Sequence, residues 1–77
     1  MGNFRPLPTK CWVAFLIFKG FRYDRTSSSH DQYKKPGYRT IPVWGNEKDI
    51  PPLQLRTSCK TISCSIEEVY EWADKNC

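Results

Sequence analysis

The chain has one histidine, His30, one methionine, and no apolar run longer than the eight residues of Cys11–Phe18. Eight residues cannot cross a bilayer, which takes about twenty. Lys19-Gly20-Phe21-Arg22 behind the run lacks the small residues of a signal-peptidase site, and Pro6 stands where a myristoylation motif carries Ser or Thr. These absences leave no membrane association and predict a cytoplasmic protein. Four cysteines could pair in an oxidising compartment, but with no sign of secretion Cys11, Cys59, Cys64 and Cys77 are expected to be reduced thiols, with Cys59 and Cys64 as small core residues. A zinc site is poorly supported, because Cys59-x4-Cys64 has neither a second close cysteine pair nor a nearby histidine. There is no internal repeat and no stretch polar enough to be disordered. Seventy-seven residues hold one modest core, so residues 1–77 read as a single domain with a shallow site, no metal and no cofactor.

Acids are scarce in most of the chain. Residues 1–64 hold eleven of the twelve Lys and Arg but four of the eight Asp and Glu, a net of +7, while Glu67, Glu68, Glu71 and Asp74 crowd the last thirteen positions. A basic body with an acidic tail points to a polyanionic partner, most simply nucleic acid held through its phosphates, or else to a solvated basic face.

The stretch Thr26-Ser27-Ser28-Ser29-His30-Asp31-Gln32-Tyr33-Lys34-Lys35 sets the lone imidazole among hydroxyls and cations. Imidazole can carry a proton in either direction near neutrality, which suits acid–base chemistry on a phosphodiester. His30 is therefore the candidate catalytic residue. Lys34, Lys35 and Arg39 are candidates to hold phosphate, and Ser28 and Ser29 to bond substrate or orient the ring, unless they are ordinary turn serines. Tyr33 falls on the opposite strand face, which weakens it as a second proton-transfer group. Trp44 and Tyr38 either stack on an unpaired base or close the core. A serine nucleophile would need an acid beside the histidine, and only Asp24 and Asp31 are near enough in sequence.

Local patterns place these residues on a coarse fold. Thr9 as N-cap and Gly20 as terminator predict a helix over 9–19, with a buried strand as the competing reading. On a helix, Trp12, Val13 and Leu16 share one face while Phe15 and Phe18 spill onto another, an apolar excess that suggests a docking partner. Alternation predicts strands at 21–25 and 30–34, the latter with His30, Gln32 and Lys34 on one face. Pro36-Gly37 supplies a type II turn, and a third strand over 38–43 carries Pro42, which favours an edge. A loop over 44–48 leads to a helix starting near Pro51-Pro52, with Leu55, Cys59 and Ile62 inward. A capping box at Ser65 and Glu68 opens the last helix, whose stripe is Ile66, Val69, Tyr70 and Ala73.

Taken in order, Pro6-Leu7, Gly20-Phe21, Arg25, Ser29-His30, Tyr33, Ile41-Pro42-Val43, Lys48-Asp49-Ile50-Pro51-Pro52, Leu55-Arg56 and Ser65-Ile66-Glu67-Glu68 resemble the HicA-type toxins, small messenger-RNA interferases of bacterial toxin–antitoxin pairs. The resemblance implies an α+β fold like a double-stranded-RNA-binding domain: a helix, then a three-stranded antiparallel sheet, then C-terminal helices. It also implies cleavage of mRNA dependent on His30 and neutralisation by a HicB-type antitoxin. Ser28 replaces a usual glycine before the Ser-His pair, so a different backbone path is expected there. Leu53 and Ser63 replace glycines at the two ends of the middle helix, and Ser63 would be strained at positive φ. Three functions stand: an endoribonuclease toxin, an RNA-binding module without cleavage, and an interaction protein docking through its apolar first helix.

Overall fold

The computed structural model describes residues 5–77. Its elements run β1 (Leu7–Pro8), α1 (Thr9–Phe18), β2 (Arg22–Ser27), β3 (His30–Lys34), β4 (Ile41–Val43), β5 (Asp49–Ile50), α2 (Pro52–Ile62) and α3 (Ile66–Asn76). Strands β2, β3 and β4 form an antiparallel meander in that order, and β1 pairs separately with β5. Helix, three-stranded sheet and C-terminal helices make the α+β, double-stranded-RNA-binding-domain-like architecture.

Helix α1 starts differently from the expectation. Thr9 is its first residue and Pro8 the cap, because the β1–β5 pairing puts Lys48 and Glu47 beside Thr9: the Thr9 amide donates to the Lys48 carbonyl at 2.9 Å, and its hydroxyl to Glu47 O at 2.7 Å. The helix ends at Gly20, whose φ of +99° suits glycine. There the Phe21 amide reaches back to Leu16 O at 2.9 Å and the Gly20 amide to Ile17 O at 3.0 Å, a Schellman closure that sets Phe21 against Leu16. The third strand begins at Ile41 and not at Tyr38, since Lys35–Tyr38 closes as a turn with Gly37 at φ +87°. Pro42 lies on β4, an edge strand, where its missing N–H costs no ladder bond.

One hydrophobic cluster joins the layers. Trp12, Phe15 and Leu16 of α1 meet Tyr33, Ile41 and Val43 of the sheet, Leu55, Cys59 and Ile62 of α2, and Ile66, Val69, Tyr70 and Ala73 of α3. Phe15, expected to spill outward, is 0% exposed; its ring lies 5.8 Å from Trp12 and 5.7 Å from Trp72. Helix α3 covers the α1 face that looked unpartnered, leaving Phe18 60% exposed. In the expected capping box, Ser65 Oγ accepts from the Glu68 amide at 3.1 Å, but the Glu68 carboxylate pairs with Lys19, the residue that follows α1, at 2.6 Å.

The cysteines correct the reduced-thiol expectation. Cys11 on α1 and Cys77 after α3 are joined as a disulfide with Cα atoms 6.2 Å apart, because α1–α3 packing brings together residues 66 positions apart. Cys59 is buried and free, as expected of a small core residue, and Cys64 is half-buried and free. The Arg5 guanidinium sits 4.4 Å over the Tyr70 ring and pairs with Asp74 at 2.9 Å, so part of the acidic tail is spent on its own chain.

Candidate functional site

The β2–β3 hairpin builds the site. Ser27 faces His30 across its mouth, and Ser28 (φ 53°) and Ser29 (φ 71°) are the two turn residues. Positive φ at both positions defines a type I′ turn, whose twist matches that of the strands it joins. Asn and Gly adopt it easily, whereas each serine carries strain on the order of 1 kcal/mol. Ser28 thus takes the conformation glycine favours, and the turn fixes His30 as the first residue of β3.

Neighbouring acids are engaged elsewhere. Asp31 Oδ1 accepts from the Thr26 hydroxyl at 2.7 Å, and Thr26 bonds Tyr23 Oη at 2.8 Å, a cross-strand chain on the face opposite His30. Asp24 lies 3.6 Å from Lys34 and 3.7 Å from Arg25. Neither carboxylate touches His30, which removes the arrangement a serine nucleophile would need.

What does touch the imidazole is Trp44, with ring centroids 4.8 Å apart. Since Asp31 pairs with Val43, the last residue of β4, the residue just after that strand, Trp44, comes beside His30. Trp44 is 37% exposed, so it borders the imidazole at the rim of the fold and does not close the core. His30 Nδ1 is sealed from solvent and has no hydrogen-bond partner. Of the two ring nitrogens, only Nδ1 is buried in this way. A hollow of about 250 Å³ lined by Trp44, Glu47, Asp49, Ile50, Pro51 and Gln54 opens beside the tryptophan.

The expected cations separate. Lys34 shares His30's face but lies roughly 13 Å along the strand at 3.3 Å per residue. Lys35 leaves the site: its ammonium donates to Lys19 O at 2.8 Å, closing the C-terminus of α1, and lies 4.7 Å from the Tyr38 ring. Arg39 is exposed in the β3–β4 connection at that same far end. Tyr38 packs edge-on against Phe21 there, 5.7 Å between centroids. Tyr33 is 7% exposed, and burial, then the nearby Asp31 charge, push its phenol up. A raised phenol turned into the core is a poor proton-transfer group.

Arg25, unlike Lys35, lies on the sheet face of His30. Tyr23 pairs with Tyr33 and Arg25 with Gln32, so the extra residue Asp24 is a bulge that turns Arg25 onto the face of Gln32 and His30. Period-two counting puts Arg25 with Tyr23 on the other face, and only the irregularity beside Asp24 reverses it. Among the described residues there is no group of three or more His, Cys, Asp or Glu that could hold a metal ion, and no helix long and apolar enough to cross a membrane.

Residues 12–63, from α1 through the hairpin and Trp44 to the end of α2, match the model of a family described as the HicA toxin of bacterial toxin–antitoxin systems. No curated protein and no solved structure matches the chain. With the family model covering more than half of the sequence and the whole hairpin site, the chain belongs to the HicA toxin family.

Proposed function

We propose that this toxin is a metal-independent endoribonuclease that cleaves mRNA in the cytoplasm, with His30 as general acid or base, and that a HicB-type antitoxin silences it. The observation carrying this reading is the imidazole itself: Nδ1 sealed, Nε2 left for substrate, Trp44 against the ring, and Arg25 and Lys34 on the same sheet face. RNA supplies its own nucleophile, the 2′-hydroxyl, which attacks the adjacent phosphorus once a base takes its proton; the 5′-oxygen then leaves with a proton from an acid. His30 performs one of these transfers and water the other. Cations on the outer face hold the phosphates, and Ser28 and Ser29 lie at the turn where their hydroxyls can bond the substrate backbone.

The test incubates partner-free wild type and His30→Ala with RNA and measures transcript integrity. Loss of on the order of 10²–10⁴ in cleavage rate with an unchanged fold is expected. Salt-dependent RNA affinity in both proteins with transcripts left whole would instead make the chain an RNA-binding module.

A further inference from the structure

The two longer helix–loop junctions close by the same geometry but seat different side chains. At the end of α1 the Schellman closure presses Phe21 against Leu16. At the end of α2, Ser63 takes the left-handed position (φ 60°, ψ 43°), the Cys64 amide donates to Cys59 O at 3.0 Å and the Ser63 amide to Lys60 O at 3.4 Å. The two positions that meet in this motif are therefore both cysteines. They line one shallow hollow of about 160 Å³, bordered by Arg56, Lys60 and Ile66. Cys59 is buried and Cys64 half-exposed, and neither belongs to the Cys11–Cys77 bond. From these placements we infer that Cys59 and Cys64 form a redox-reactive dithiol that small-molecule disulfides such as oxidised glutathione convert to an intramolecular disulfide.

Their positions assign the order of events. Cys64, reachable from solvent beside cationic side chains, attacks first; its thiol is lowered by its hydrogen bond with Cys59 and by Lys19, whereas the Cys59 thiol is raised by that bond and by burial. The Cys64 thiolate attacks one sulfur of the small disulfide, whose S–S bond breaks and releases one thiolate. Cys59 then gives up its proton and attacks the Cys64 sulfur of the mixed disulfide, expelling the second thiolate. Two protein thiols are oxidised by two electrons and one small disulfide is reduced to two thiols, with the released protons taken up by the leaving groups.

The experiment treats the folded chain, its Cys11–Cys77 bond closed, with oxidised glutathione and counts alkylatable thiols by mass spectrometry. Wild type is expected to lose both remaining thiols and two hydrogens without retaining glutathione. Cys59→Ser should accumulate the glutathione adduct on Cys64, and Cys64→Ser should leave Cys59 alkylatable after unfolding. A wild type that keeps the adduct, or keeps both thiols under conditions where Cys59→Ser is modified, would overturn the inference. So would a faster reaction at Cys59 than at Cys64.

Discussion

The two ends of the three-stranded sheet carry similar side chains put to opposite uses. At the far end, Lys35 donates to the α1 terminus, Tyr38 closes over Phe21, and Gly20 and Gly37 occupy the positive-φ positions. At the hairpin end, serines sit at positive φ, an imidazole nitrogen is buried without a partner, and a tryptophan is left at the surface. Satisfied polar groups and relaxed turns hold a fold together. Strain and an orphaned buried nitrogen persist only where the surrounding structure holds them, and they concentrate at functional sites. Under the proposed function, the contrast gives catalysis to one end and stability to the other.

Substitutions can break this division, and the largest effect belongs to His30. His30→Ala should lower RNA cleavage by at least about 10²-fold while thermal unfolding barely moves; an equal loss of stability would make the residue structural. Opening Cys11–Cys77 by Cys11→Ser with Cys77→Ser should cost about 4 kcal/mol on the chain-entropy account of a 66-residue separation. Because that bond ties only the helical layer, cleavage measured well below the lowered Tm should persist. Lys35→Met removes a charged donor from the α1 terminus and should cost about 1–2 kcal/mol in denaturant unfolding, with cleavage nearly unchanged. Arg25→Ala should do the reverse: RNA binding weakens across sequences, the salt slope of affinity falls by about 1, and Tm holds. If Lys35→Met and Arg25→Ala exchanged these signatures, the two ends would have been assigned backwards. Ser28→Gly, the smallest change, relieves left-handed strain against the greater chain entropy of glycine and should stabilise by about 0.5–1 kcal/mol.

Much of the frame follows from the sequence alone. The apolar stripe Ile66, Val69, Tyr70 and Ala73 is buried as its spacing requires, Ser65 caps α3, and Ser63 stands at the left-handed position where serine is strained. Alternation along β3 also places His30, Gln32 and Lys34 on one face with Tyr33 turned inward, since side chains of a strand point to opposite sides in turn.

Periodicity works within one element, and it carries no information on how elements register against each other. Only the tertiary structure decided that the bulge at Asp24 turns Arg25 toward His30, that β4 brings Trp44 onto the imidazole, and that Lys35 serves α1. The same holds for Phe15 buried under α3 and for the Cys11–Cys77 bond. Each depends on pairing or packing between separate segments of the chain, where a shift of one residue in register exchanges inside for outside and no local pattern changes.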